Sequence, residues 1–267
     1  MSMNVVIAGA SGRMGRVLLE AVAAAPDMRL FAALERSGSP FVGRDAGELV
    51  GASQRTAIHE DLDESLAGAH ALIDFTRPEA TLAHIEACRK HKVALVIGTT
   101  GFDEAGKATI LAASRDIPIV FAPNMSVGVN LVFKLLDMAA KVLDEGYDIE
   151  IVEAHHRHKV DAPSGTALAL GKAAAAGRGV ELAAVSDRVR DGHTGARLQG
   201  HIGFATLRGG DVVGEHSVIF AADGERLELA HKATDRGIFA RGAVHAALWA
   251  AGKPAGLYSM ADVLALD

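Results

Sequence analysis

Short β-rich runs alternate with helical segments through the first 122 residues of the chain. The candidate strands are NVVIAG, RLFAALE, HALIDF, ALVIGTT and IPIVFAP, and the candidate helices include residues 13 to 25, 79 to 90 and 104 to 114. Parallel strands need a crossover connection, and a helix between strands supplies it in a right-handed βαβ unit. The sequence therefore predicts an α/β fold with a doubly wound parallel sheet.

The pattern changes after a candidate helix near residues 129 to 143. DIEIVEAHH is typical of a strand, SGTALALGKAAAA of a helix, and HIGFATLR, VVGEHSVIFAA and ERLELAHKA of three long strands. An Asp223-Gly224 pair between the last two strands favours a hairpin turn. This part predicts a smaller α+β domain with a mixed or antiparallel sheet. The segment GIFARGAVHAALWAAG is again helical, and could pack on either domain.

Composition excludes several classes of protein. A length of 267 residues suffices for one large or two modest domains. The formal charge of -6 gives no basic excess, so we expect no binding to nucleic acid or to an anionic membrane. No apolar run approaches the roughly 20 residues of a membrane span, and the N-terminus does not resemble a signal peptide. The single cysteine, Cys88, excludes an intrachain disulfide and suits a reducing cytoplasm.

A glycine-rich turn, GASGRMG, runs from Gly9 to Gly15, directly after the first strand and at the start of the first helix. Such glycines let a pyrophosphate approach the backbone, and the free N–H groups of the helix start bind it. Glu35, at the end of the second strand, can accept hydrogen bonds from the ribose hydroxyls of NAD, and Arg36 can pair with the 2′-phosphate of NADP. The alternative is a packing turn with a solvated Glu-Arg pair.

Two further loops follow candidate strands of the same sheet, GTTG at Gly98–Gly101 and APNMS at Ala122–Ser126. Open α/β sheets bind ligands at the carboxyl ends of their strands. The small and hydroxyl side chains of these loops allow backbone groups to reach a nicotinamide or its ribose. Taken singly, each loop is more typical of a simple strand-to-helix connection.

The stretch EAHHRHKVDAPSGTA, from Glu153 to Ala167, places three histidines close together: His155, His156 and His158. Three ligands are common in catalytic zinc sites. However, adjacent histidines in a strand point to opposite faces, and Arg157 and Lys159 add positive charge where a dication would be disfavoured. Histidines without any function are the other alternative to a reactive site.

The remaining interpretation is a site that binds an anion and transfers protons. Ser164 is a candidate N-cap, so Gly165 and Thr166 would present backbone N–H groups at a helix start. Such a helix start attracts a carboxylate. With Lys159 and two histidines as mobile donors, the region suits a small polyanionic substrate whose reduction needs a proton beside the hydride.

Together, the motif E-A-H-H-x-x-K-x-D-x-P-S-G-T-A and the GxxGRMG turn resemble the 4-hydroxy-tetrahydrodipicolinate reductase family, also called dihydrodipicolinate reductases, of the diaminopimelate route to lysine. The resemblance covers nearly the whole chain. It implies a Rossmann-like domain of residues 1–126, to which residues 237–267 return, and a domain of residues 127–236 for substrate binding and oligomerisation. It also implies a cytoplasmic homotetramer built through the sheets of the second domain.

What the resemblance implies for the site is specific to single residues. His155 is the acid/base residue, Lys159 is the proton donor, and the substrate dicarboxylate contacts His156, Gly165 and Thr166. No metal is expected. The cofactor is NADH, NADPH or both, held by residues of the glycine-rich turn, the end of the second strand and the two loops: Gly9, Ala10, Ser11, Gly12, Arg13, Met14, Glu35, Arg36, Gly98, Thr99, Thr100, Ala122, Pro123, Asn124 and Met125.

Two other classes of function stay open. A histidine-rich metallohydrolase would bind zinc, and a non-catalytic NAD(P) sensor would bind the cofactor without turnover. Glu35 disfavours the metallohydrolase, and Lys159 with the Ser-Gly-Thr cluster disfavours the sensor. The sequence leaves open the preference between NADH and NADPH, and whether dehydration of the substrate occurs on the enzyme. With cofactor and substrate groups on different domains, we expect domain closure during the reaction.

Overall fold

The computed structural model of the chain describes residues 2–52 and 54–266, so the predicted outer domain limits at residues 1 and 267 lie outside it. The chain divides into two compact units. One unit runs up to Val127 and resumes at Arg236, and the other spans Gly128–Asp235. Each unit has a sheet and a core of its own.

The N-terminal part of the first unit alternates strands with helices. Its elements are β1 (Met3–Ala8), α1 (Arg13–Ala23), β2 (Met28–Leu34), a 3-10 helix (Ala46–Val50), β3 (Ile58–His59), α2 (Leu62–Leu66), β4 (Ala71–Asp74), α3 (Pro78–His91), β5 (Ala94–Ile97), α4 (Glu104–Ala113) and β6 (Pro118–Phe121). Every residue of β4 and β5 is buried, because the sheet is covered on both faces, and all of these residues except Asp74 are apolar.

The second unit is built around a five-stranded mixed sheet. Its elements are α5 (Val127–Val142), β7 (Asp148–His155), α6 (Gly165–Gly177), α7 (Leu182–Val185), β8 (Ser186–Asp187), β9 (Ile202–Arg208), β10 (Gly214–Ala222) and β11 (Glu225–Ala233). The strand order is β11-β10-β7-β9-β8. β10 is antiparallel to both β11 and β7, whereas β9 is parallel to β7 and β8. Buried and half-buried residues alternate along β7, because one face of this sheet packs on a core with α5 and α6.

The chain then returns to the first unit with α8 (Gly237–Ala250), β12 (Gly256–Tyr258) and α9 (Met260–Leu264). The completed sheet is parallel, with the strand order β12-β6-β5-β4-β1-β2-β3. One core joins α1 and α8 to one face of the sheet, and a second core joins α3 and α4 to the other face. The order reverses at β1, which lies between β2 and β4, and a crevice for ligands forms at such a point.

This architecture confirms the predicted fold class, a doubly wound parallel sheet with a smaller unit carrying a mixed sheet. The Asp223-Gly224 turn joins β10 and β11 as a hairpin, and Gly224 takes a positive φ of 89°. The candidates did not include the short elements β3, α2, α7, β8, β12 and α9. A strand of two or three residues is too short to show a period, so pattern alone does not reveal it.

Candidate functional site

The turn between β1 and α1 depends on its glycines. Gly9 has a positive φ of 66°, a conformation that glycine adopts without strain. A Cβ on Gly15 would lie 2.2 Å from the carbonyl oxygen of Gly9, so only glycine lets α1 approach the turn this closely. Gly12, the N-cap of α1, has no side chain to occupy the helix start. The N–H groups of the first helical turn, at Arg13 and Met14, are therefore oriented for an anion.

Glu35 and Arg36 follow β2 directly, as predicted. Oε1 of Glu35 accepts hydrogen bonds from the backbone N–H and the hydroxyl of Ser11, at 2.8 and 2.6 Å. The second-strand carboxylate and the glycine-rich turn are thereby held together. Both line a cavity of about 530 Å³, whose lining includes Gly9, Ser11, Gly12, Glu35, Arg36, Phe75, Thr76, Arg77 and His84.

These features fit a nicotinamide dinucleotide. The glycines leave a cradle that a Cβ would fill, the helix start favours a pyrophosphate, and Oε2 of Glu35 is an acceptor for a ribose hydroxyl. Arg36 lines the same cavity and supplies a cation for a 2′-phosphate.

The two other predicted cofactor loops lie at the ends of β5 and β6. Gly98 approaches the ring of Phe75 so closely that a Cβ would lie 2.2 Å from it. Thr99 is buried, and its hydroxyl lies 3.3 Å from the carboxylate of Asp74, so its side chain faces the protein interior. Thr100 is exposed.

In the loop after β6, the amide of Ala122 donates to the carbonyl of Ile97. Pro123 is exposed, and Asn124 accepts a hydrogen bond from the Ser126 amide through its side chain. The side chain of Met125 packs in the core, which leaves its backbone as the part suited to ligand binding.

Sequence reasoning missed a buried polar network at the end of β4. Asp74 is fully buried and accepts hydrogen bonds from the amide and hydroxyl of Thr76, at 2.9 and 2.6 Å. Its other oxygen lies 2.7 Å from Nδ1 of His84, a residue on α3. Burial alone would raise the pKa of Asp74, but His84, Thr76 and Thr81 together outweigh that effect and hold the pKa below its usual range. The network fixes Thr76 and His84 at the cavity. The sequence signal for this network was Asp74, a carboxylate within the otherwise apolar run ALIDF.

In the second unit, β7 ends at His155, and His156 follows outside the strand. Nδ1 of His155 lies 2.6 Å from Oε2 of Glu153. Glu153 is a buried residue, with 1% of its surface exposed. Burial lowers the pKa of His155 below its ordinary value, although the Glu153 carboxylate opposes that shift. A Cβ at Gly214 would lie 3.0 Å from Nε2 of His155, so the glycine leaves room beside this ring nitrogen.

Lys159 and Asp161 lie in the loop between β7 and α6. Nζ of Lys159 lies 2.8 Å from Oδ1 of Asp161, and the hydrogen bond from Lys159 lowers the pKa of that carboxyl. Among the residues that the structure describes, buried Nδ1 of His156 has no hydrogen-bond partner. An unsatisfied buried nitrogen is costly without a ligand, which suits a role for His156 in binding.

The start of α6 is capped by Ser164, whose hydroxyl accepts a hydrogen bond from the amide of Ala167 at 3.1 Å. The same hydroxyl lies 3.0 Å from Nε2 of His216, a buried residue of β10. Gly165 and Thr166 form the first helical positions, as predicted, and open space surrounds Cα of Gly165. The region therefore combines a helix N-terminus, an imidazole and an ammonium group.

Metal binding and membrane insertion would each need a particular arrangement of residues. Within residues 2–52 and 54–266, no three His, Cys, Asp or Glu side chains group so as to hold a metal ion. The helices of the same two ranges include none with the length and apolar character needed to cross a membrane.

Comparison with known proteins covers both units. The family model of the dihydrodipicolinate reductase N-terminus matches residues 3–125, and that of the C-terminus matches residues 128–264. The 4-hydroxy-tetrahydrodipicolinate reductase of Nitrosospira multiformis is 58% identical over 265 residues, which are 99% of this chain and 98% of that one. The enzyme of the same name from Thiobacillus denitrificans is 59% identical over 266 residues, with both chains covered in full.

A solved structure shares the fold. The dipicolinate-bound dihydrodipicolinate reductase from Paenisporosarcina sp. TG-14 superposes with a TM-score of 0.78 at 24% sequence identity. The match covers 97% of this chain and 98% of that one.

Proposed function

The chain belongs to the dihydrodipicolinate reductase family, and we propose that it reduces 4-hydroxy-tetrahydrodipicolinate, by way of dihydrodipicolinate, to tetrahydrodipicolinate in lysine biosynthesis. It is an oxidoreductase that uses NADH or NADPH. The observation that carries the proposal for the site is the hydrogen-bonded arrangement of His155, the Lys159 loop and the start of α6 in the second unit.

The first unit binds the cofactor in this proposal. The pyrophosphate lies at the start of α1, where the glycines leave room and the N–H groups are oriented toward it. Glu35 accepts from the adenosine ribose hydroxyls of NADH. Arg36 pairs with the 2′-phosphate of NADPH, so the two residues together allow both cofactors. The loops at 98–100 and 122–125 contribute backbone groups.

The second unit binds the substrate. Dipicolinate is the dicarboxylate bound in the solved relative, and a related cyclic dicarboxylate suits the groups found here. One carboxylate binds the N–H groups at Gly165 and Thr166, since a helix start favours negative charge. Nδ1 of His156 gains the partner that it lacks among the described residues.

The reaction removes water from the hydroxylated substrate and then adds a hydride and a proton to the unsaturated ring. The cofactor, when bound, supplies the hydride. Lys159 supplies the proton from its ammonium group, which Asp161 holds at 2.8 Å. His155 serves as the acid/base residue through Nε2, the ring nitrogen opposite the Glu153 contact.

The proposal extends to assembly and location. The resemblance to the family implies a homotetramer formed through the sheets of the second units. A single cysteine suits the reducing cytoplasm, where we place the enzyme.

Replacing Lys159 tests the assignment of the proton donor. We expect Lys159→Ala to lower kcat by about 100-fold to 10,000-fold, which is typical for loss of a positioned proton donor. The Kd for NADH should stay at the wild-type value, because Lys159 lies in the second unit. The kcat is measured from NADH absorbance with freshly generated substrate, and the Kd for NADH is measured by calorimetry.

Lys172→Ala is the matched control, since Lys172 is exposed on α6 of the same unit. It should keep the wild-type kcat. A Lys159→Ala enzyme with near-normal kcat contradicts the assignment. Activity that disappears on addition of a chelator would instead favour the metallohydrolase.

A further inference from the structure

Glu153 lies at the centre of the polar groups of the second unit. Its side chain is 1% exposed, on the buried face of β7. Both carboxylate oxygens face hydrogen-bond donors from four residues, one on β7 itself and three outside it: His155 Nδ1 at 2.6 Å, Arg208 at 2.8 Å to each oxygen, the Ser164 amide at 3.0 Å and the Thr206 hydroxyl at 3.3 Å. A carboxylate that accepts this many hydrogen bonds is held in one position.

The contact with Glu153 determines the tautomer of His155. The two-pronged pairing with Arg208 requires an ionised carboxylate, and an ionised carboxylate can only accept hydrogen bonds. Nδ1 of His155 must therefore carry a proton, and this N–H group donates a hydrogen bond to Oε2 of Glu153. In the neutral ring, Nε2 is then left with its lone pair beside Gly214, where it can exchange a proton with a substrate.

The same carboxylate also organises the loop that bears Lys159. Arg208, fixed by Glu153, donates to the backbone carbonyl of Asp161 at 2.7 Å, and the side chain of Asp161 holds Lys159. On the other side, Glu153 accepts from the amide of Ser164, the N-cap of α6. One buried side chain thus connects the imidazole, the ammonium loop and the helix start.

We propose that Glu153 is the positioning residue of the active site, which holds His155 with its proton on Nδ1 and sets the Lys159 loop and the start of α6 relative to that ring. The inference rests on the proposed function, since it acts through His155 and Lys159. Glu153 itself contacts neither the substrate nor the cofactor in this assignment.

Glu153→Gln tests the proposal with little change in side-chain volume. An amide has one oxygen and one NH2 group. In either orientation its NH2 group must face two groups that themselves donate hydrogen bonds, either Arg208 and His155 or Arg208 and Ser164. We expect kcat to fall by about 100-fold, the scale of a misplacement near 1 Å. KM should rise as well, because the helix start loses its anchor.

The pH profile of kcat separates positioning from a general loss of stability. A nearby negative charge favours the imidazolium, so its removal should shift the kcat midpoint assigned to His155 downward by about 1 unit or more. The Kd for NADH should not change. Circular dichroism verifies that the variant is folded.

Glu150→Gln is the matched control. Glu150 also lies on β7 and also pairs with two arginines, Arg190 and Arg197, but it points to the opposite face of the sheet. It should leave the pH midpoint of kcat unchanged. If Glu153→Gln does not fold, Arg208→Lys is tested in its place. Lysine keeps the positive charge but cannot form the two parallel hydrogen bonds of the guanidinium. That variant should lower kcat by about 10-fold with an unchanged Kd for NADH.

His155→Gln distinguishes the two ways in which the inference can fail. A wild-type enzyme that does not oxidise NADH in the presence of the substrate overturns the proposed function. Wild-type kcat in His155→Gln overturns the acid/base role of His155, and with it the positioning role argued through that residue. If His155→Gln is inactive but folded Glu153→Gln, or Arg208→Lys in its place, keeps the wild-type kcat and pH midpoint, the positioning role alone is wrong. In the proposal, the loss of kcat in the double variant should be smaller than the product of the two single losses, because both changes interrupt the contact between Glu153 and His155. The loss that Glu153→Gln still adds to His155→Gln measures its effect on the Lys159 loop and the start of α6.

Discussion

Buried His216 makes the stability of the second unit depend on pH. The residue is 6% exposed on β10, next to the ring of His155 at 5.1 Å between centroids. Burial, and then the charge of His155, lower the pKa of His216 from 6.5 to about 4. The folded chain therefore keeps this ring neutral at pH values where the unfolded chain has already taken up a proton. Its contribution to stability is complete above pH 6.5 and is lost as the pH falls toward 4.

His216→Gln should remove this part of the pH dependence. A one-unit pKa difference corresponds to about 1.4 kcal/mol, so the wild type should lose about 2 kcal/mol more unfolding free energy than the variant between pH 6.5 and 5. Urea denaturation at both pH values measures the difference. His193→Gln, which changes an exposed histidine, is the control and should match the wild type. An equal loss in His216→Gln and wild type would show that His216 is not the group responsible.

At the level of single residues, the sequence indicated candidate groups for ligand contact, but it did not indicate the groups that hold them in place. His155 and Lys159 belong to a recognisable motif, and Glu35 has a characteristic position after a strand. The positions assigned to these residues as ligand contacts remain predictions. The contact of Glu153 with Arg208 joins residues 55 positions apart, and it depends on the parallel register of β7 and β9. No pattern in a single sequence gives that register.

At the scale of secondary-structure elements, α1 lies so close to the turn before it that Gly15 has no room for a side chain. A methyl group on Gly15 would meet the carbonyl oxygens of Gly9 and Ala10 at 2.2 and 2.6 Å. Gly15→Ala must therefore move α1 away from the turn. We expect about a 10-fold or larger rise in the Kd of both NADH and NADPH, since both share the pyrophosphate.

Gly252→Ala is the control for that change. Gly252 follows α8 in the same unit, and nothing lies within 4 Å of a Cβ built there. Calorimetry should give wild-type Kd values for it. Unchanged cofactor affinity in Gly15→Ala would mean that the start of α1 does not bind the pyrophosphate. A change confined to NADPH would instead implicate the ribose end of the site.

The elements themselves were predictable in proportion to their length and burial. Strands β4 and β5 are apolar except for Asp74, because helices cover both faces of the sheet. Burial alternates along β7, because only one face of its sheet is covered. β12 has three residues and joins the sheet beside β6, so it depends on a partner distant in sequence. The packing of α8 on the first sheet was likewise not decided by its own apolar pattern.

On the scale of the whole molecule, each unit has a core and a candidate site of its own. The first unit packs two cores on opposite faces of its parallel sheet, and the second packs one core on its mixed sheet. The residues that we assign to the cofactor belong to the first unit, and those that we assign to the substrate belong to the second. This division predicts that the two ligands protect different parts of the chain from exchange with solvent.

Hydrogen exchange measured by mass spectrometry tests that division. NADH alone should slow exchange in peptides that cover residues 9–15 and 34–36, since their amides lie around the cavity after β1 and β2. Dipicolinate alone should slow exchange in peptides that cover residues 155–167, because the amides at the start of α6 gain a carboxylate partner. Benzoate, with one carboxylate, should protect that segment less. Protection of residues 155–167 by NADH alone, or of residues 9–15 by dipicolinate alone, would contradict the assignment of one ligand to each unit.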